Sequence, residues 1–332
     1  MQATTRNRYI LRVAMLVVTA LVLVVVVRAL RRDGPAALDA WRAARVRWGW
    51  VVAAAASGLL APAATSIGWR RLLTDMGLPV NYGWVLRLTL VSNVGRYLPG
   101  GKAWQLGLVA MMSAERGLPG PLVAGTSFLH GVVGLVVGAI LLLPLGGAMV
   151  GGAGPLFALA AVGLAALLAL PAVLRRMPRL RVLLASKIHG IDTVSTATLW
   201  SLMWTAAAGW LASGGMLYSL AWALLPSPGA PPSLYAVAWI GPFLAGLLAV
   251  FSPAGIGVRD GAMQATLVAA GVASSSALLL VIVSRIFSTL VELIPACVLL
   301  VLGQLASRRA GAPAAERAAP ADVEGAHPRP LS

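Results

Sequence analysis

Two apolar stretches of this sequence are broken by proline and glycine in corresponding positions. In the first, VSNVGRYLPGGKAWQ, Pro99, Gly100 and Gly101 stand between Arg96 and Lys102. The apolar segment before the break, Trp84 to Leu98, is about 22 Å long as a helix, and the one after it, Ala103 to Ser113, is shorter still. Neither crosses a hydrocarbon core of about 30 Å alone. Irregular backbone at membrane depth survives only where protein buries it or a water-filled cavity meets it, so the break is expected to line a cavity. In the second stretch, AVFSPAGIGVRDGAM, Pro253, Ala254 and Gly255 are followed by Gly257, Arg259 and Asp260. Pro99 and Pro253 are offset by 154 residues, nearly half the chain. Paired interruptions of this kind in two halves point to a transporter-type substrate site and to an inverted repeat. The alternative is two unrelated structural kinks.

A membrane is the only solvent that suits the rest of the chain. Of its residues 59% are hydrophobic and 11% charged, with a mean hydropathy of +0.86. That is far outside the composition of soluble domains. The net charge of +16 comes from basic residues placed singly or in small clusters between apolar runs. No basic stripe interleaved with aromatics is present, so nucleic acid is not an expected partner. The arginines are read instead as loop residues that set orientation. Cys297, the one cysteine, rules out an internal disulfide framework and a thiolate metal site. His130, His189 and His327 have no metal-ligand spacing, and no hydrolase, phosphate-loop or dinucleotide motif occurs. The sequence therefore calls for no metal and no cofactor, and favours a transporter over an enzyme.

The expected fold is all-α: a polytopic membrane protein of about eight transmembrane helices plus two Pro/Gly-broken re-entrant segments. Spans are predicted over Val13 to Val27, Trp48 to Trp69, Pro121 to Leu145, Pro155 to Leu174, Leu199 to Leu225, and Ala277 to Leu305. Trp84 to Leu98 with Ala103 to Ser113, and Leu234 to Phe251 with Val258 to Gly271, form the two broken pairs. The first run resembles a signal peptide, but Arg28-Ala29-Leu30-Arg31-Arg32 offers no small-residue cleavage site, so it is expected to stay as a helix. Residues 31–47 carry arginines beside Leu38 and Trp41 and suit a helix along the headgroups. One transmembrane domain is thus expected over residues 1–306, with residues 307–332 a disordered cytoplasmic tail. With both termini inside, sixteen Lys and Arg fall in cytoplasmic segments, six on the opposite side and four at depth. The six, Arg28 to Arg47, all crowd one outer segment against the usual charge bias.

The four cations at depth are Arg96, Lys102, Arg259 and Arg285; the carboxylates there are Asp260 and Glu292. An ionised group at the bilayer centre costs on the order of 3 kcal/mol, so these six should face a cavity or one another. Arg285 and Glu292 share a helix face two turns apart, too far to pair easily. The expected pairs are Arg285 with Asp260, and Glu292 with Lys102 or Arg96, leaving cationic capacity for a phosphate-bearing lipid. Helix amino ends after Gly101 and Gly257 add anion-favouring amides. For Arg96 and Lys102 the competing account is snorkelling to headgroups. Gln105, Gln264 and Asn93 serve equally well as ligand contacts or as glue between helices; His130 is read first as a hydrogen-bonding residue, with a proton relay as the alternative.

GRYLPGGKAW, SPAGIGVRDGAM and SRIFSTLVELIP, in this order, resemble segments of the flippase-like family built on the transmembrane domain of lysylphosphatidylglycerol synthase. The similarity spans roughly residues 9–306. It implies an eight-span fold with re-entrant segments and movement of an anionic phospholipid or polyprenyl-phosphate-linked lipid between leaflets of the cell membrane. By position, Pro99, Gly100 and Gly101 match the first break; Pro253, Gly255, Gly257 and Asp260 match the second, where many relatives have Glu; and Arg285 matches an arginine of the last span. Many relatives carry a carboxylate after the first break, where this chain has Lys102, Trp104 and Gln105, and an acidic residue near the position of His130. The resemblance therefore carries the fold and the ligand class rather than a lysyl headgroup. The residues after Ser307 are too few for the synthase's soluble aminoacyl-transfer domain, so a complete synthase is not expected.

Two other readings stay open. A polyprenyl-phosphate-dependent membrane glycosyltransferase needs paired carboxylates in an outer loop, where only Asp33 and Asp39 stand, among arginines. A non-transporting accessory subunit would instead support a membrane enzyme partner in envelope lipid or glycan export.

Overall fold

A computed structural model describes residues 31, 34–42, 44–78, 80–97, 101–146, 194–248 and 257–316, with side chains as far as Leu302. Among these residues the chain is all helical, with no strand. The predicted first span and the span over Pro155 to Leu174 lie outside the described residues, as do Pro99, Gly100, Pro253 and Gly255.

Helix α1 (Trp48–Asp75) and helix α5 (Thr196–Leu224) form the most extensive helix pair. They run antiparallel: Gly58 faces Met216, Thr65 faces Gly209, and Gly68 faces Leu202 and Thr205. Small residues let the two backbones approach where lipid supplies no hydrophobic drive for association. A Cβ on Gly68 would lie 2.3 Å from the Thr205 hydroxyl. Asp75 accepts the Ser195 backbone N–H at 2.9 Å, so the end of α1 and the start of α5 share one face, called face A. At the opposite end, face B, the Arg47 backbone N–H donates to the Ala223 carbonyl at 3.0 Å. The Arg47 guanidinium also bonds the Leu225 carbonyl and lies 5.0 Å over the Trp222 ring.

The first broken pair is a hairpin entered from face A. Helix α2 (Tyr82–Asn93), capped by the Asn81 side chain on the Trp84 N–H at 2.8 Å, tightens into a 3-10 turn over Val94–Tyr97. Helix α3 (Lys102–Ala114) then returns. Its exit brings the Arg116 guanidinium within 5.6 Å of the Trp84 ring, so the hairpin leaves where it entered. The arms touch backbone to backbone at Gly95, where a Cβ would sit 2.6 Å from the Gln105 nitrogen. Only glycine permits that approach.

The second pair is entered from face B. Helix α6 (Pro232–Leu248) starts beside Pro228, whose carbonyl accepts the Tyr235 hydroxyl. Helix α7 (Val258–Ala269) returns alongside it to Gly271. Leu267 and Val272, at the exit, pack in one cluster with Tyr235 and Leu225. The two hairpins therefore enter from opposite faces, the relationship expected of an inverted repeat. Helix α4 (Gly120–Gly146) packs against α3, α5 and α6. Helix α8 (Ser274–Glu316) starts at face B, where Leu278 and Leu279 contact Ala37 of the 34–42 helical stretch. It reaches Ala296 in the cluster that holds Leu72 and Trp84. The helix runs on through Glu316, past Ser307, where the sequence predicts a tail to begin.

Three described helices are long and apolar enough to cross a membrane: α1, α4 as far as Leu145, and α8 over Ser274–Leu302. The predicted span Leu199 to Leu225 overlies α5 and its C-cap residue Leu225; the helix is 29 residues long but lies outside that set. Its packed face is rich in small and hydroxyl residues because α5 sits at the centre, with Thr198, Ser201, Gly209, Gly214 and Ser219 buried against neighbouring helices.

Candidate functional site

The hairpin ends meet at the middle of α8. Arg96, in the 3-10 turn that ends the inward arm of the first hairpin, forms an ion pair with Glu292. Asp260, in the first turn of α7, lies 3.6 Å from Arg285. The second is the pair anticipated from the cost of charge at depth, and the first settles on Arg96 where the sequence offered Lys102 or Arg96. Arg285 and Glu292 do sit two turns apart, and each finds its carboxylate or guanidinium on a different hairpin. The middle of helix α8 thus carries one basic and one acidic residue, Arg285 and Glu292, and each hairpin supplies the complementary charge.

Each returning arm opens on a glycine. Gly257 precedes α7 at φ +87°, left-handed backbone that favours glycine, and its N–H donates to Asp260 Oδ2 at 3.1 Å. Gly101 likewise precedes Lys102, the first residue of α3. Lys102 Nζ donates to Gln105 Oε1 at 3.0 Å, and Gln105 Nε2 donates to Asn93 Oδ1 at 2.8 Å. This polar string crosses between the arms of the first hairpin. A Cβ on Gly131 would lie 3.7 Å from the Lys102 ammonium, so α4 passes directly beside it.

Arg259 is held differently. Its guanidinium lies 4.6 Å from the centroid of Trp239 and 5.2 Å from that of Phe243, both on α6. Its Nε is buried without a hydrogen-bond partner among the described residues. Arg285, Arg96, Asp260 and Glu292 are all within electrostatic reach of it. Trp239 and Phe243 had no place in the sequence expectation. Their spacing of four on an apolar helix beside a break was the available signal, and it looks like ordinary core until the guanidinium is placed over the rings.

Around this cluster the packing is tight. Trp69 donates its indole N–H to Thr126 Oγ1 at 3.0 Å, and Trp210 donates to the Gly134 carbonyl at 2.8 Å. His130 stacks on Trp69 with ring centroids 6.0 Å apart, and its Nε2 is buried without a partner among the described residues. A cavity of about 40 Å³ adjoins Glu292, walled by Gly58, Pro62, Ser213, Trp239 and Ser288. It has room for a few waters, not for a lipid headgroup. In the loop predicted to lie outside, Asp39 makes an exposed contact of 3.3 Å with Arg42, and Asp33 lies outside the described residues. No group of three His, Cys, Asp or Glu side chains able to hold a metal occurs among the described residues.

All seven side chains expected at the ligand site are therefore placed: Arg96, Lys102, Gln105, Arg259, Asp260, Arg285 and Glu292 gather around the hairpin ends and the middle of α8. No curated protein matches the chain. Residues 11–296 match the lysylphosphatidylglycerol synthase TM region, and the chain, an integral membrane protein of that type, belongs to this family.

Proposed function

We propose that this protein translocates an anionic phospholipid or a polyprenyl-phosphate-linked lipid between the leaflets of the cell membrane, with both termini and face A on the cytoplasmic side. The observation that carries the reading is the cluster where hairpins from opposite faces end: four cations against two carboxylates. A surplus of positive charge at depth is costly unless an anion offsets it. Arg96, Lys102, Arg259 and Arg285 supply the attraction, Gln105 a neutral donor, and the amides opening α3 and α7 the helix-end field.

The two ion pairs suit alternating access. The Arg96–Glu292 contact latches the face A hairpin to α8, and the Arg285–Asp260 contact latches the face B hairpin to the same helix. A phosphate that competes for Arg96 weakens the first latch while the second holds; one that competes for Arg285 does the reverse. Because the cavity beside Glu292 is only of water size, a headgroup enters by displacing a hairpin rather than by filling an open chamber. A membrane enzyme that makes or uses the lipid is the expected partner.

The test is purified protein in vesicles with fluorescent anionic lipids, read by quenching of the outer leaflet. Leaflet exchange faster than in protein-free vesicles is expected. An unchanged rate for every anionic phospholipid and polyprenyl phosphate would sink the proposal.

A further inference from the structure

The four cations at the hairpin ends divide into two classes. Arg96 and Arg285 each meet a carboxylate. Lys102 and Arg259 have no carboxylate within ion-pair distance among the described residues: the ammonium has the neutral Gln105 oxygen, and the guanidinium lies over two rings while Asp260 and Glu292 act on it only from further off. Both lie within electrostatic reach of Arg96, so they belong to one field. By sequence, Asp260 and Glu292 are the carboxylates of the apolar segments, and each forms an ion pair with an arginine. The other eight acidic residues stand outside the apolar segments of the sequence. The surplus therefore amounts to two charges.

Resting on the translocation reading above, we infer that the transported lipid ends in a dianionic phosphate, a phosphomonoester or a diphosphate, and that Arg259 and Lys102 are the residues that contact it. A phosphomonoester carries about −1.5 to −2 at neutral pH, which offsets both uncompensated cations. A phosphodiester lipid carries a single negative charge and leaves one of them bare; a zwitterionic lipid leaves both. The aromatic pair also fits this role. Trp239 and Phe243 lie against the Arg259 guanidinium, and rings offer it no oxygen acceptor, so its N–H groups keep the capacity to bind phosphate, bidentately where two of them share one oxyanion.

The experiment uses the full chain and two readouts. Binding is measured by native mass spectrometry in detergent with phosphatidic acid, a polyprenyl diphosphate, phosphatidylglycerol and phosphatidylcholine, and exchange with fluorescent forms of the same lipids in vesicles. The monoester and diphosphate are expected to bind, and to exchange, about tenfold or more above phosphatidylglycerol, since charge-assisted bidentate contacts discriminate on that scale. Arg259→Gln and Lys102→Gln should each erase most of that preference, while Arg259→Lys, which keeps the charge, should keep part of it. Equal handling of phosphatidylglycerol and the dianionic lipids overturns this inference and leaves translocation standing. Selective dianionic binding without exchange, lost in the Arg259 and Lys102 variants, upholds their contact with a dianionic phosphate and overturns its transport. Neither binding nor exchange overturns both.

Discussion

Arg96, at the inner end of the hairpin that enters from face A, is ion-paired with Glu292 in the middle of α8. The side chains are 34% and 20% exposed, so the pair is neither a solvated surface contact nor fully sealed. Removing one partner strands the other charge, a loss on the order of 2 kcal/mol for a pair buried to this degree. Glu292→Gln and Arg96→Gln should each lower the Tm of the detergent-purified protein, and the double variant should lose less than the sum. Strict additivity in that cycle would show that the two residues are not coupled.

Gly95 and Gly107 make opposite predictions from the same substitution. A Cβ at Gly95 meets the Gln105 backbone at 2.6 Å, where neither arm can yield without opening the hairpin, whereas at Gly107 nothing lies within 4 Å. Gly95→Ala should cost about 1–3 kcal/mol as overpacking. Gly107→Ala, in the interior of α3, should gain about 0.5–1 kcal/mol from helix propensity. Thermal unfolding of the two variants side by side checks the pair.

The buried Trp69–Thr126 bond separates shape from chemistry. Thr126→Val keeps the volume but leaves the indole N–H without its acceptor, at a cost of about 1–3 kcal/mol. Thr126→Ser retains the oxygen and should be milder. If valine proves as stable as serine, the hydrogen bond is not what holds α4 against α1.

Opposed entry of the hairpins is directly accessible to labelling. Starting from Cys297→Ser, single cysteines at Asn81 and Glu115 should react with an impermeant maleimide from one side of the membrane only. Cysteines at Ser227 and Ala270 should react from the other. Labelling of all four from one side would contradict the opposed entry that the contacts of Trp84, Arg116, Tyr235 and Val272 define.

The charged residues at depth show how far sequence carries. Arg285 with Asp260, and Glu292 with either Lys102 or Arg96, were legible because hydrocarbon makes an unpaired charge costly and the chain offers few carboxylates at depth; that Arg96 is the partner comes from the structure. The aromatic cover over Arg259 was not, since Trp239 and Phe243 are apolar residues on an apolar helix and nothing along the chain says which ring faces a cation. Helix α5 shows the same gap in reverse. Its hydropathy reads weaker than its burial, because a helix surrounded by other helices needs small and adaptable residues more than lipid-facing ones.

What this chain settles by sequence alone is which segments leave water, where proline and glycine interrupt them, and which six ionisable groups must find partners at depth, all set by local composition against the thickness of a bilayer. Only the tertiary structure decides that the hairpins enter from opposite faces, that Gly95 locks one of them backbone to backbone, and that among the described residues Arg259 and Lys102 have no carboxylate within ion-pair distance. Those facts depend on the rotation and neighbours of each helix, which arise from packing between segments far apart in the chain.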